Sequence, residues 1–74
     1  MPRLPACTPT EVERALLRAG FVLHHTRGSH RYYRHPANGT ITTVAFHARD
    51  IKRGTLHGIL KQAGLSLEDF LKLL

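Results

Sequence analysis

A Gly-Ser-His triplet, followed at once by two arginines and two tyrosines, is the part of this sequence best suited to chemistry. These residues are Gly28, Ser29, His30, Arg31, Tyr32, Tyr33 and Arg34. Histidine takes up and releases a proton near neutral pH without help from its surroundings. A glycine lets the chain reverse sharply, so Gly28 and Ser29 can hold His30 at a defined position between two strands. A positioned histidine among cations predicts acid–base cleavage of a phosphodiester, as in a small ribonuclease.

The charge of the chain favours a polyanionic partner. The 74 residues include 11 Lys and Arg against 5 Asp and Glu, a formal net charge of +6 with histidine neutral. Such an excess attracts nucleic acid, an anionic membrane or an acidic protein. The positive charge is also clustered, because residues 24–35 contain three arginines and four histidines but no carboxylate. This clustering favours a binding surface over scattered solvation.

The remaining composition narrows the class of protein. The length corresponds to one domain with a thin core. The single cysteine, Cys7, excludes an internal disulfide, so the cytoplasm is the default compartment. No apolar run reaches the roughly 18 residues of a membrane-spanning helix, and the N-terminus lacks the apolar region of a signal peptide. Because Cys-x-x-Cys and spaced-histidine motifs are both missing from the sequence, we expect no metal and no cofactor.

The elements that must position the triplet begin with a helix. Residues 1–7, with two prolines, are expected to form a flexible leader before a single domain at residues 8–74. Thr8-Pro9-Thr10-Glu11 is a capping-box pattern. Apolar residues then follow at helical spacing as far as Gly20, a natural helix end, so a first helix is predicted over residues 9–19.

Three strand-like segments follow, at residues 21–26, 29–35 and 41–46. The loops between them are short, which predicts an antiparallel meander. Helical spacing returns and predicts a second helix over residues 53–63, and Ser66 indicates the start of a short third helix. The predicted fold class is α+β in the order α-β-β-β-α. A three-stranded antiparallel sheet would carry helices on one face, with an additional short C-terminal helix.

Several short motifs in this order resemble those of a known family. They are an amphipathic helix ending in Ala19-Gly20-Phe21, then Gly28-Ser29-His30, Arg34-His35-Pro36, Val44-Ala45-Phe46-His47, Lys52-Arg53-Gly54-Thr55-Leu56, Ile59-Leu60-Lys61-Gln62-Ala63-Gly64 and Glu68-Asp69-Phe70. From about residue 8 to residue 74 the chain resembles the HicA toxins, the mRNA interferases of toxin–antitoxin pairs. One departure is Ala45, where relatives often carry proline.

The resemblance implies both a fold and an activity. The fold is similar to that of the double-stranded-RNA-binding domain, which agrees with the predicted order of elements. The implied activity is that of a type II toxin, an endoribonuclease that cleaves mRNA. The histidine of the Gly-Ser-His motif, here His30, is the implied catalytic residue. The implied protein partner is a HicB-type antitoxin that covers the active surface.

The orientation of His30 decides whether it can be catalytic. Its spacing alone also fits a structural turn histidine that bonds to the backbone. Side chains alternate along a strand, so His30 is predicted to share a face with Tyr32 and Arg34, and Arg31 to share the other face with Tyr33. A catalytic His30 must lie on the open face or at the exposed strand end, and a one-residue slip would exchange the faces. One tyrosine is expected in the core and the other free to stack on a base.

Further residues are candidates for a site around His30. His47 is either a second acid or base or a strand-end histidine. The candidate cations for binding RNA phosphates are Arg31, Arg34, Lys52 and Arg53. Lys52 and Arg53 open the second helix, whose N-terminal N–H groups suit a phosphate, although a solvated helix start fits the same residues.

The other strand histidines are expected on or near the surface of the sheet, as solvated or RNA-facing groups. They are His24, His25 and His35. His24 and His25 are adjacent, so they are expected to point apart on a strand.

Two other functions fit the same composition. A module of the same fold could bind duplex RNA by its shape without cleaving it. A protein-interaction domain could instead use its basic face for an acidic partner. A time course on labelled RNA distinguishes the nuclease from the binding module, and salt-sensitive RNA binding distinguishes both from the interaction domain.

Overall fold

A helix, three antiparallel strands and two further helices follow one another along the chain. The computed structural model describes residues 5–47 and 49–74. The elements are α1 (Pro9–Arg18), β1 (Val22–Arg27), β2 (His30–Arg34), β3 (Ile41–Ala45), α2 (Arg53–Ala63) and α3 (Leu67–Leu73). The predicted α+β fold is confirmed, including the α-β-β-β-α order and the additional C-terminal helix. In the described part of the chain, no helix has the length and apolar character needed to span a bilayer.

Helix α1 begins with the predicted capping box. The Thr8 side chain accepts a hydrogen bond from the Glu11 backbone N–H, and the Glu11 carboxylate accepts one from the Thr8 N–H at 2.9 Å. These bonds satisfy N–H groups that have no partner within the helix. At the other end, Gly20 has φ 99°, and a Cβ there would lie 2.9 Å from Nε2 of His35. The chain therefore needs a glycine where α1 turns into β1.

Cys7, two residues before α1, belongs to the core. Residues 1–4 of the expected leader lie outside the described residues. Cys7 is buried, and its carbonyl accepts a hydrogen bond from the Ile51 N–H at 2.7 Å, within an isolated antiparallel bridge. Burial, followed by the charge of nearby carboxylates, raises the pKa of the Cys7 thiol. The thiol is thereby held in its unreactive protonated form.

The sheet has the order β1-β2-β3, with both pairs antiparallel. Gly28 and Ser29 form a two-residue hairpin between paired Arg27 and His30, and Gly28 has φ 58°. Glycine at the first central position supplies the positive φ that a tight hairpin turn of this length needs. In the second pair, His30 lies opposite Ala45. The register of the hairpin therefore fixes which face His30 occupies.

Strand β1 contains a bulge that the sequence does not reveal. Leu23 pairs with Tyr33 and His25 with Tyr32, so His24 is an extra residue without a partner of its own. An extra residue interrupts the alternation of side chains. The rings of His24 and His25 consequently lie with their centroids 5.1 Å apart. The prediction that these two histidines point apart is wrong for this reason.

The helices cover one face of the sheet and form the core with it. Buried positions on that face of the sheet are Tyr33, Thr42 and Val44. Helix α2 has the predicted bounds, and the carbonyl of Ile59 accepts a 3.2 Å hydrogen bond from the Thr42 hydroxyl. Phe70 of α3 is fully buried. His30 lies on the opposite face of the sheet from Tyr33, with Thr43 and Ala45 of β3.

Candidate active site

His30 is the first residue of β2 and lies directly after the hairpin turn. The ring is exposed on the face of the sheet away from the helices. Its cross-strand neighbour is Ala45, and directly opposed residues on adjacent strands have Cβ atoms about 4.5–5.5 Å apart. A methyl group at that position leaves room beside the imidazole. The orientation required for a catalytic His30 is therefore present.

His47 lies next to His30, and the edge of one ring points towards the face of the other. The Phe46 N–H donates a 2.7 Å hydrogen bond to the Ser29 carbonyl, which ties the end of β3 to the β1–β2 turn. His47, the next residue, is exposed, and its ring centroid lies 6.0 Å from that of His30 with the planes nearly perpendicular at 83°. The two rings do not stack in this arrangement.

A cavity of about 430 Å³ opens between β2, β3 and the start of α2. Its lining residues are His30, Thr43, Ala45, His47, Ile51, Lys52, Thr55 and Ile59. Two imidazoles, one ammonium group and two hydroxyls thus share a partly apolar cavity. The lysine can pair with an anion, and the two histidines can each give a proton to, or take one from, an oxygen of that anion.

The N-terminus of α2 adds positive potential at this cavity. Lys52 is the N-cap residue, and its side chain makes no capping hydrogen bond. The first turn of α2 contains no acidic residue. Free N–H groups and the helix dipole both favour an anion at such an end. The Lys52 side chain and the N-terminus of α2 therefore both place positive charge beside the cavity.

Arg31 points away from this cavity, as the alternation along β2 predicts. Its Nη1 donates to the Glu13 carboxylate of α1 at 2.8 Å, and its guanidinium carbon lies 4.2 Å from the centroid of the Phe46 ring. Its side chain is 39% exposed. Arg31 is thus committed to an ion pair and a cation–π contact on the helix-covered face.

Tyr33 completes the polar contact on that face. Its hydroxyl donates a hydrogen bond to the same Glu13 oxygen that Arg31 contacts. Partial burial acts to raise the pKa of Glu13, but the hydrogen bonds from Tyr33 and Arg31 outweigh burial and the pKa is lowered overall. Burial first, and then the bond to Glu13, raise the pKa of Tyr33. Glu13 therefore stays ionised and Tyr33 stays protonated at neutral pH.

The other predicted cations lie around the cavity without lining it. Arg34 is exposed at the far end of β2, four residues from His30, or roughly 13 Å along the strand. Arg53 is exposed at the first position of α2, next to Lys52. Of the four predicted cations, the structure brings Lys52 to the two histidines.

The remaining strand histidines divide into two groups. His25 is exposed and stacks on Tyr32 with ring centroids 4.2 Å apart and an interplanar angle of 9°. His35 is half-buried, with Nε2 3.2 Å from the Ala19 carbonyl oxygen and its ring edge-on to Phe21. The expectation that His35 is a solvated or RNA-facing group is wrong, because it holds the end of β2 against the α1–β1 turn.

The sequence did not identify some residues that line the cavity or the residue that supports β2. Thr43 and Ala45 line the cavity because they lie across from β2 on the same face as His30. Thr55 lines it from the first turn of α2. Glu13 supports β2 from α1, and its position beside the apolar stripe of the helix was the available signal. Within the described ranges, no three His, Cys, Asp or Glu side chains form a group suited to a metal ion.

Most of the chain, including the cavity, matches a known protein family. A family model described as the HicA toxin of bacterial toxin–antitoxin systems matches residues 9–65. This range contains α1, the sheet, α2 and every residue that lines the cavity. Comparison with curated proteins gives no match.

Proposed function

The chain belongs to the HicA toxin family, and on this premise we propose that it is an endoribonuclease that cleaves mRNA with His30 as its acid–base residue. The observation that carries the proposal is the pair of exposed imidazoles, His30 and His47, with ring centroids 6.0 Å apart beside Lys52. The cytoplasm, where mRNA is translated, is the proposed place of action.

RNA supplies its own nucleophile for this reaction. The ribose 2′-hydroxyl attacks the adjacent phosphorus, and the bond from phosphorus to the 5′ oxygen of the next nucleotide breaks. A base removes the 2′ proton, and an acid protonates the departing 5′ oxygen. The products are a 2′,3′-cyclic phosphate and a 5′-hydroxyl. The chemistry needs two proton transfers and stabilisation of the negative charge that builds up on phosphate oxygens.

The cavity offers one side chain for each of these requirements. His30 begins β2, His47 follows the end of β3, and both line the cavity, so that each can come within about 2.6–3.2 Å of one reacting oxygen of a bound phosphate. The Lys52 ammonium group and the α2 N-terminus stabilise the non-bridging oxygens. Gly28 and Ser29 fix the position of His30, and Ser29 also holds the end of β3 through its carbonyl.

The remaining arginines take supporting roles in this proposal. Arg34 and Arg53 are exposed outside the cavity lining and contact phosphates farther along the RNA. Arg31 supports β2 through Glu13 and does not contact the scissile phosphate. Histidine acid–base catalysis contributes roughly 10²–10⁴-fold in rate, so the fixed cations must supply a further part of the acceleration.

Membership of a toxin–antitoxin family also implies an antitoxin partner. We propose a HicB-type protein whose carboxylates cover the cavity and reach Lys52 and the histidines. Such a partner would exclude RNA and neutralise part of the +6 net charge at once. Co-purification with the product of a neighbouring reading frame tests this, and an antitoxin complex that still cleaves RNA at the free-protein rate would contradict it.

The direct test compares two histidine substitutions in the presence of EDTA. His30→Gln removes the proposed acid–base group, while His57→Gln removes an exposed histidine on α2 that does not line the cavity. Wild type and His57→Gln should cleave labelled RNA to products with a cyclic phosphate. His30→Gln should bind the RNA and leave it intact. Intact RNA with the wild-type protein would identify an RNA-binding module instead of a nuclease.

A further inference from the structure

Tyr32 stands on the open face of the sheet with one side of its ring already covered. The ring is half-buried and stacks on His25 of β1, with centroids 4.2 Å apart and planes within 9°. His24, displaced by the β1 bulge, lies edge-on against His25 with centroids 5.1 Å apart. Three aromatic rings therefore support one another from the β1 side. Stacking on His25 therefore fixes the orientation of the Tyr32 ring in the absence of a ligand.

The second side of the Tyr32 ring faces β3. Adjacent strands lie about 4.8 Å apart, so rings that stack across two strands present their flat faces along the line from strand to strand. The residue opposite Tyr32 on β3 is Thr43, which is too small to cover an aromatic face. Thr43 lines the cavity, and so does the next residue on the same face, Ala45. Tyr32 does not line the cavity itself, but its partner Thr43 does, so the space between the Tyr32 ring and Thr43 adjoins the cavity.

We propose that this recess, bounded by Tyr32 and floored by Thr43 and Ala45, binds a nucleobase and thereby selects single-stranded RNA. The inference rests on the proposed function, because it places the base of a substrate nucleotide next to His30. Tyr32 and His30 share a face two residues apart on β2, about 7 Å along the strand. A base stacked on Tyr32 brings its own ribose and phosphate towards the two histidines.

Stacking explains why the substrate would be single-stranded. In a duplex each base is already stacked on both sides and paired at its edge, so it cannot lie flat against a side chain. An unpaired base gains roughly 1–3 kcal/mol from an aromatic platform, whatever its sequence. Stacking by His25 holds the Tyr32 ring in place, so less side-chain freedom is lost when the base binds. The recess therefore selects single-stranded over duplex RNA, and the histidines act on the phosphate next to the bound base.

Binding by protein that cannot cleave tests the inference separately from catalysis. In the His30→Gln background, affinity is measured at one salt concentration for a labelled RNA oligonucleotide, single-stranded or annealed to its complement. Tyr32→Leu should weaken single-strand binding about 5- to 150-fold, while Tyr32→Phe should retain it. Duplex binding should be weaker at the outset and unchanged by either substitution.

A second variant acts on the recess without removing the ring. Thr43→Leu places a larger side chain against the free face of Tyr32 and should weaken single-strand binding to a similar degree. Thr43→Ser keeps the recess open and is its matched control. Equal affinity of Tyr32→Leu and Tyr32→Phe for single-stranded RNA would overturn the inference, as would unchanged binding by Thr43→Leu. Cleavage by His30→Gln would instead contradict the proposed function, so the two failures are distinguishable.

Discussion

The two faces of strand β2 differ in how their polar side chains are used. On the helix-covered face, Arg31 and Tyr33 both bond to one carboxylate, Glu13 of α1. On the open face, His30 borders a cavity of about 430 Å³ that also contains His47. The polar side chains of one face therefore hold the strand against α1, and those of the other face are available to a ligand.

This difference shows how a small domain can fix a reactive side chain. A side chain on a strand is placed more accurately than one on a loop if the strand itself cannot move. Tyr33 and Arg31 flank Tyr32 and follow His30, so their bonds to α1 restrain the backbone that carries the open-face residues. The alternation of a β-strand brings the anchoring and the reactive residues within one residue of each other.

Removal of the anchor should give the largest effect on stability. Tyr33 is fully buried, and Tyr33→Ala leaves a cavity and removes one of the two side chains that bond to the Glu13 carboxylate. Loss of a buried aromatic side chain costs about 3–5 kcal/mol, which is a large part of the stability of a small domain. Chemical denaturation should show a large loss of unfolding free energy. A Tyr33→Ala protein as stable as wild type would show that the covered face does not anchor β2.

The second histidine should affect catalysis and leave stability unchanged. His47→Gln removes one of the two proposed proton-transfer groups from an exposed position. RNA cleavage should fall about 10²-fold or more, while the unfolding free energy should change by less than about 0.5 kcal/mol. Single-turnover cleavage and denaturation of the same preparation give both values. Wild-type cleavage by His47→Gln would show that His47 carries neither proton transfer and is only a strand-end residue.

The two arginines of β2 should differ in role: Arg31 should contribute to stability, and Arg34 to RNA binding. Arg31→Ala removes the ion pair with Glu13 and should lower the unfolding midpoint, with little change in the salt dependence of RNA binding. Arg34→Ala should leave the midpoint unchanged and reduce the slope of log affinity against log salt by about one. Thermal denaturation and a salt titration with RNA provide the comparison. Identical behaviour of the two variants would remove the distinction between the faces.

The smallest expected effect is on the pH dependence of stability. The folded-state pKa of Glu13 is lowered from its usual 4.5, so the unfolded state binds its proton more readily. The contribution of Glu13 is therefore complete above pH 4.5 and is lost as the pH falls through the lower, folded-state pKa. Glu13 is partly exposed, which limits this contribution to about 1 kcal/mol or less.

Glu13→Gln isolates that contribution from the other carboxylates. The variant should be less stable than wild type at pH 7, and the difference should shrink as the pH is lowered below 4.5. Urea denaturation of both proteins across this range provides the comparison. A stability difference that stays constant down to pH 2 would mean that Glu13 is not held in its ionised form by Tyr33 and Arg31.

Most of the fold could be predicted from local patterns in the sequence. The capping box at Thr8 and Glu11 and the glycine at position 64 mark helix ends chemically, and α2 has the predicted bounds. Strand ends carry weaker signals, so β1 begins and ends one residue later than predicted and β3 ends one residue earlier. Phe21 and Phe46 lie just outside the strands, although both pack with the core.

The site could be predicted only in part, since cross-strand register and contacts between distant segments decide the rest. His30 stands out by its motif, but the recess beside it depends on Thr43 and Ala45, which are identified only after β2 and β3 are aligned. The partners of Glu13 are 18 and 20 residues away, and no local pattern links them. The bulge at His24 arises from pairing with β2 and not from residue type.

The most direct test of the division between the two faces measures cleavage per folded molecule for His30→Gln and Tyr33→Phe side by side. His30→Gln should remain folded and lose about 10²–10⁴-fold in cleavage rate. Tyr33→Phe loses the hydrogen bond to Glu13, so it should be less stable. It keeps the buried ring and the Arg31–Glu13 ion pair that anchor β2, so its folded fraction should cleave RNA near the wild-type rate. A folded His30→Gln protein that cleaves RNA as fast as wild type would contradict the account.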